Sequence, residues 1–294
     1  MEQCQLIKLA MLGSKEAARR LTETGVLVMQ GDCLELMKDI PDGSVDMVLT
    51  DPPYGTTACK WDSVIPFEPM WEQLNRIIKT NGAICLFGSE PFSSALRMSN
   101  IKHFKYDWIW EKTRTVGFLN AKNAPLKRHE IVSVFSLGTT ANRSKNRMEY
   151  NPQGLIEINQ KRKSVSQSGD IVVGSRPSRS KDYIAKYTGY PDTVLRFSNE
   201  AKQEHPTQKP IALLEYLIRT YTNEGETVLD FTMGSGSTGV ACINTGRKFI
   251  GMELDPGYFE AAKRRIEEAQ EQARLAWNTR APILSESELK KLEV

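Results

Sequence analysis

The sequence predicts a three-layer α/β sandwich built on a mostly parallel sheet, and three observations carry that prediction. Segments with strand and helix patterning alternate in both halves of the chain, which makes a parallel sheet covered by helices the default. Two apolar strands, VDMVLTDPPY and ETVLDFT, run into loops of special residues, as open α/β sheets do where they bind ligands. Between the two halves the periodicity breaks down over about residues 139–200 into Ser, Arg, Lys, Asn, Gly and Pro with short apolar islands, resembling neither a core element nor a plain linker.

Taken in order, VLVMQGD is β-branched and apolar, CLELMKDI has helical spacing, PDGS is a turn, and VDMVLTDPPY is a second buried strand. PFEPMWEQLNRIIKTNG reads as an amphipathic helix closed by Asn81-Gly82 as its C-cap, followed by the strand AICLFGS. FKYDWIWEK and EIVSVFSLG are further strands, expected at an antiparallel edge. After the irregular stretch, PIALLEYLIRTYT is a helix and ETVLDFT a strand. GSGSTGVACINTG is a Gly-rich turn opening a helix, RKFIGMELD a strand, and PGYFEAAKRRIEEAQEQA a long helix starting at Pro256. Trp61, Trp71, Trp108 and Trp110 are read as core, and His103 and His129 as structural or surface residues.

Bulk properties exclude several classes. Among 294 residues, 40% hydrophobic and 26% charged content match a globular chain, and the longest apolar runs fall far short of a membrane span, so no membrane partner is expected. The first twenty residues lack the pattern of a secretory leader, and five scattered cysteines (Cys4, Cys33, Cys59, Cys85, Cys242) with three histidines suit a reducing cytoplasm and no metal site. Residues 139–189 hold ten basic side chains against four acidic, net +6 in a chain of net +3, which leaves −3 for the remainder. Such a segment is either a polyanion-binding surface or a solvated insertion; charge alone does not choose.

Asp230 ends a strand whose Gly-rich turn, Gly234-Ser235-Gly236, leads straight into a helix, and one strand later Glu253 stands at a strand end, where a carboxylate can accept both ribose hydroxyls. A phosphate loop is disfavoured because the Lys-Ser/Thr that should follow is replaced by Val240-Ala241. The pattern suits a nucleoside without a pyrophosphate, and S-adenosylmethionine is one.

Asp51-Pro52-Pro53-Tyr54 lies at the end of a buried strand. The exocyclic amine of adenine is a poor nucleophile because its lone pair is delocalised. A carboxylate (Asp51) and a backbone carbonyl (Pro52) accepting its two hydrogens would draw it out of conjugation. The prolines stiffen the loop and remove amide donors, and Tyr54 offers a face for an unstacked base. Alone, the tetrapeptide could equally be a proline turn; beside a nucleoside-binding turn it reads as functional.

These motifs resemble the beta group of bacterial and phage DNA amino-methyltransferases, over Gly25 to about Glu268. In that group the Asp-Pro-Pro-Tyr motif precedes the target-recognition region, which precedes the Gly-rich motif, and this chain keeps that order. His205-Pro206-Thr207-Gln208-Lys209-Pro210 resembles the group's motif at the methionine end of the cofactor, and GDCLELM its segment contacting the cofactor adenine. The resemblance implies a circularly permuted, Rossmann-like S-adenosylmethionine-dependent methyltransferase fold. Its catalytic half would span 25–138, a basic target-recognition insertion 139–204 and a cofactor-binding half 205–275, with terminal extensions at 1–24 and 276–294.

By the same resemblance Asp51, Pro52, Pro53 and Tyr54 hold a flipped base. Asp32, Cys33, Asp230, Phe231, Thr232, Gly234, Ser235, Gly236 and Glu253 line S-adenosylmethionine, and His205, Thr207 and Lys209 approach its methionine end. The group usually reads Asp-Pro-Phe before the glycines, whereas here Phe231 directly follows Asp230, one position early. Arg143, Lys145, Arg147, Lys161, Arg162, Lys163, Arg176, Arg179 and Lys181 are the expected DNA contacts, on double-stranded DNA. A homodimer and a cognate restriction endonuclease are further partners that the resemblance leaves room for. The expected reaction is direct methyl transfer to adenine N6 without metal or covalent enzyme intermediate. Cytosine N4 is the nearest alternative, where serine more often begins the motif. An RNA or protein-amide methyltransferase and a non-enzymatic DNA-binding regulator are further off. No Pro-Cys follows a strand, which argues against methylation of the cytosine ring carbon.

Overall fold

The computed structural model describes residues 15–56, 62–142, 144–162, 182–198 and 208–280. The chain divides into two compact units, one of residues 1–150 with 193–294, the other of residues 151–192.

The first unit carries an eight-stranded sheet. In chain order its strands are β1 (Val26–Gln30), β2 (Val45–Thr50), β3 (Ile78–Gly88), β4 (Phe104–Val116), β5 (Lys127–Phe135), β8 (Val194–Arg196), β9 (Thr227–Asp230) and β10 (Lys248–Glu253). In space the order is β1-β10-β9-β2-β3-β5-β4-β8. β5 alone runs against its neighbours; β1, β10, β9, β2 and β3 form a continuous parallel block, and β4 and β8 point the same way beyond β5. The expected antiparallel edge is thus a single reversed strand, with the direction restored by β4.

Helices cover both faces. α1 (Lys15–Thr24), the one-turn α2 (Cys33–Leu36), α3 (Phe67–Ile77) and α4 (Phe92–Ser99) come from the first half of the chain. α5 (Ile211–Tyr221), α6 (Ser237–Thr245) and α7 (Pro256–Arg280) come from the second. Alternate strand residues point to opposite faces, and the burial follows that period. Ala83, Cys85 and Phe87 of β3 join one apolar cluster with Leu213, Cys242 and Ile266 of α5–α7. Ile84 and Leu86 join another with Trp71, Leu74 and Leu96 of α3 and α4. Two cores on two faces of one sheet make a three-layer sandwich. Trp71, Trp108 and Trp110 are buried in these cores as expected, while Trp61 lies outside the described residues.

One expected cap is a different device. α3 ends at Ile77, where Ile78 turns extended, and Asn81-Gly82 falls inside β3. There the pairing with β2 jumps from Val45↔Ile78 to Met47↔Ala83, so residues 79–82 bulge. A side chain on Gly82 would stand 2.7 Å from the Asp46 carbonyl oxygen, which explains the glycine without a helix end.

Parts of the irregular stretch belong to the sheet unit. Met148 and Leu195 are buried in its core, Glu149 N donates to Asn81 O (2.9 Å), and β8 extends the sheet edge. Among the described residues of the second unit, β6 (Ile156–Arg162) and β7 (Tyr183–Thr188) pair antiparallel.

Candidate active site

β9 and β2 are adjacent parallel strands from opposite halves of the chain, paired Met47↔Val228 and Val48↔Leu229. From this pair the succession runs outward on both sides, to β10 on one and β3 on the other. That is a topological switch point, and open α/β sheets bind ligands beyond the carboxyl ends of such strands. Those ends are Thr50-Asp51 and Asp230-Phe231.

The two loops are bonded to each other. Thr50 Oγ1 donates to Asp230 Oδ1 at 2.5 Å and lies 2.6 Å from Thr232 Oγ1, which in turn donates to the Asp51 carbonyl oxygen at 3.2 Å. A cavity of about 450 Å³ opens above them, walled by Asp51, Pro52, Pro53 and Tyr54 on one side and by Asp230 to Ser235 on the other. Asp32, Cys33, Lys209 and Glu253 also reach it. This volume falls in the range of small-molecule sites.

On the glycine-turn side the carboxyls are met by uncharged donors. Asp230 is buried and takes hydrogen bonds from Thr50, from Thr238 Oγ1 (2.6 Å) and from Thr232 N (3.2 Å). It borders the cavity, yet its oxygens are engaged in holding the turn. Burial pushes its carboxyl up to about 6 against those bonds. Glu253 accepts from Gly234 N (2.8 Å) and Asp255 N (2.9 Å), and burial raises its carboxyl too. With two oxygens and about four lone-pair sites, it retains room for a further donor such as a ribose hydroxyl. Phe231 is buried and borders the cavity from its displaced position. Asp32 caps α2 through Leu34 N (2.8 Å), and burial pushes the Cys33 thiol up to about 12, so it stays protonated.

The two glycines divide their labour. Both have positive φ, +50° at Gly234 and +78° at Gly236. Space beside Gly234 is open, as a close ligand approach needs, whereas a side chain on Gly236 would meet Ala262 of α7 at 3.0 Å. Gly236, expected at the cofactor, packs closely on α7.

On the Asp51 side the bonds are charged. Asp51 accepts from the Tyr54 hydroxyl and from the Lys209 ammonium. Lys209, 8% exposed, also faces Glu130 at 3.4 Å, and Glu130 pairs with Lys112. The result is an alternating chain from Tyr54 through Asp51, Lys209 and Glu130 to Lys112. Burial lifts the Asp51 carboxyl above its usual range against the pull of Lys209. Burial also opposes charge on Lys209, yet Asp51 and Glu130 hold the ammonium above its ordinary value. Glu130 is held below the usual range by its two lysines despite its burial. Lys209, expected at the methionine end of a cofactor, borders the cavity and is tied to Asp51. The Tyr54 ring packs on Phe92, centroids 5.0 Å apart.

Sequence reasoning missed several supports. Asp62 takes Gly55 N (2.8 Å) and Thr56 N (2.9 Å), pinning the backbone after Tyr54. Arg265 reaches from α7 to Ser235 O (2.5 Å) and Ser235 Oγ (2.9 Å). Glu130 and Lys112 sit on β5 and β4 with no local motif to mark them. Of the remaining expected site residues, His205 and Thr207 lie outside the described residues, as do Arg143, Lys163, Arg176, Arg179 and Lys181. Lys145, Arg147, Lys161 and Arg162 are all exposed. Among the described residues no His, Cys, Asp and Glu side chains gather as a metal ion would require, and no helix is long and apolar enough to cross a membrane.

Known proteins carry the same plan. The sequence is similar to the Type II methyltransferase M2.LlaDCHI of Lactococcus lactis subsp. cremoris, 28% identical over 83% of this chain and 90% of that one. It is 29% identical to the DNA adenine methyltransferase YhdJ of Escherichia coli K12, over 82% of this chain and 83% of the relative. The fold matches the crystal structure of the M1.HpyAVI–SAM complex with a TM-score of 0.54 and 24% identity, covering 82% of this chain and 99% of that one. The DNA methylase family of N6/N4 methyltransferases matches residues 45–264. With well over half of its length inside that match and the two motif loops joined at one switch point, the chain belongs to the N6/N4 DNA methylase family.

Proposed function

We propose that this DNA methyltransferase, with S-adenosylmethionine as donor, methylates the N6 amino group of adenine in duplex DNA. The observation that carries the proposal is the direct bonding of the two loops, Thr50 to Asp230 and Thr232 to Asp51, at the mouth of one cavity.

The site fits the donor. Gly234 leaves open space for close approach, Glu253 has acceptor capacity for ribose hydroxyls, and Asp32 and Phe231 border the same cavity. When bound, S-adenosylmethionine supplies a methyl group already activated on a sulfonium. The protein's own work is then to hold and prepare the amine. Asp51 accepts one amine hydrogen and the Pro52 carbonyl the other, restoring lone-pair density on nitrogen for in-line attack. As the nitrogen–carbon bond forms and the sulfur–carbon bond breaks, the nitrogen sheds a proton. Asp51, its carboxyl raised by burial, is the acceptor within reach. Lys209 fixes the carboxylate and balances its charge; Tyr54 donates to it and presents its ring beside the base.

Adenine is favoured by aspartate at position 51 and by the similarity to an adenine methyltransferase. The insertion expected at 139–204, including Lys145, Arg147, Lys161 and Arg162, would supply phosphate contacts for target recognition. A cytoplasmic location, a homodimer and a cognate restriction endonuclease complete this reading; sedimentation velocity tests the dimer. The decisive experiment is single-molecule sequencing of DNA from cells expressing the protein. N6-methyladenine at one motif is expected. N4-methylcytosine there would overturn the choice of base, and unmodified DNA would overturn the activity.

A further inference from the structure

Apart from the 139–189 stretch, a second basic segment stands at the active-site end of the sheet. Residues 112–128, KTRTVGFLNAKNAPLKR, contain five basic side chains and no acidic one. They form the end of β4, the connecting loop and the start of β5. β4 runs parallel to β3 through the reversed β5, so Val116 and Lys127 lie at the end of the sheet where β2 and β9 deliver Asp51 and Asp230. The root of the hairpin is wired to the catalytic carboxylate, since Lys112 of β4 pairs with Glu130 of β5, Glu130 with Lys209, and Lys209 with Asp51.

The tip is apolar and structured. Gly117 (φ +96°) turns the chain into a short 3-10 turn, Phe118–Asn120, and Asn123 N and Ala124 N close onto Asn120 O at 2.8 and 2.9 Å. Phe118 is 68% exposed and Leu119 fully exposed. Three of the five cations are engaged within the hairpin root: Lys112 on Glu130, Lys127 on Ser89, and Arg128 on Glu111 at 3.4 Å. Arg114 and Lys122, flanking the apolar tip, carry no ion pair among the described residues. An apolar wedge between two uncommitted cations suits a stacked polyanion better than an acidic protein face. Side chains of this kind unstack base steps while cations neutralise the adjoining phosphates.

We propose that the β4–β5 hairpin is a DNA-opening element, in which Phe118 and Leu119 enter the base stack beside the extruded target and Arg114 and Lys122 hold the flanking phosphates. The proposal rests on the DNA methyltransferase reading. It adds a contact that acts on the duplex and not on the donor.

The test compares the full-length protein with the double variant Phe118→Ala/Leu119→Ala. Tritium incorporation is measured into unmethylated bacterial genomic DNA, native and heat-denatured, with donor affinity measured by calorimetry. The double variant is expected to lose at least tenfold in kcat/KM on native DNA, to lose less than threefold on denatured DNA, and to bind the donor within twofold of wild type. Arg114→Ala/Lys122→Ala should lower the slope of log affinity against log salt by about 2. Thermal melting checks folding, which substitutions at such exposed positions should leave intact. Equal rates on native DNA would overturn the proposal. So would an equal loss on both DNA forms, or a loss that sedimentation velocity traces to a changed oligomeric state. If wild type labels no DNA, the methyltransferase reading fails and the hairpin proposal with it. If wild type labels DNA and the double variant matches it, the hairpin proposal alone fails.

Discussion

The two loops that meet at the switch point are built on different physical principles. The glycine turn is held by hydroxyls and backbone amides that donate to Asp230 and Glu253, and by Arg265 clasping Ser235 from α7. The Asp51 loop is held by alternating charges, Asp51 between Tyr54 and Lys209, and Lys209 between Asp51 and Glu130. The donors to the Asp230 and Glu253 carboxyls are hydroxyls and amides that carry no charge of their own, so each bond contributes about 1–3 kcal/mol with no buried counter-charge to balance. Buried charges depend strongly on one another, so removing any member of the Asp51 chain is expected to change the others. Breaking either side separates the two roles.

The largest effect is expected at Lys209. Lys209→Met leaves Asp51 and Glu130 buried without their shared cation, which should cost about 3–5 kcal/mol in denaturant unfolding. Loss of the ammonium also removes the influence that holds the Asp51 carboxyl down, so the acidic limb of the kcat profile should move to higher pH. A profile unchanged in position would show that Lys209 is only a structural filler.

A smaller effect of opposite character is expected on the glycine side. The Asp230 carboxyl is raised from 3.8 to about 6 in the folded protein, so its contribution to stability is fully present below pH 4 and lost as pH rises through 6. The stability of wild type relative to Asp230→Asn should therefore fall by about 2 kcal/mol between pH 4 and 7. Urea midpoints across that range are the check. A flat difference would mean that the hydroxyl bonds offset the burial.

Much of this site was legible because its motifs are local. Strand, special loop and helix follow one another within a dozen residues at Asp51 and at Asp230, and the same alternation supplied the sandwich. Local spacing misled at Asn81-Gly82, where a pair that normally ends helices serves a bulge whose cause, the Asp46 carbonyl on another strand, is distant in sequence. At Gly236 local spacing left out a second demand on the glycine, the close approach of Ala262 of α7. The charge chain was illegible for the same reason. Lys112, Glu130 and Lys209 lie on three separate segments, and only the folded sheet links them to one another and to Asp51. Arg114, Phe118 and Leu119 escaped notice because they fall between the two strand patterns FKYDWIWEK and EIVSVFSLG, in a stretch with no motif and outside the more strongly basic segment.

The central claim is that one loop binds the donor while the other prepares the amine. Its most direct test is Asp51→Ala, with donor affinity from calorimetry and methyl transfer from single-turnover labelling of DNA. Donor affinity within about threefold of wild type, together with transfer slowed at least a thousandfold, is the predicted result. Near-normal transfer, or a loss explained entirely by weakened donor binding, would contradict it.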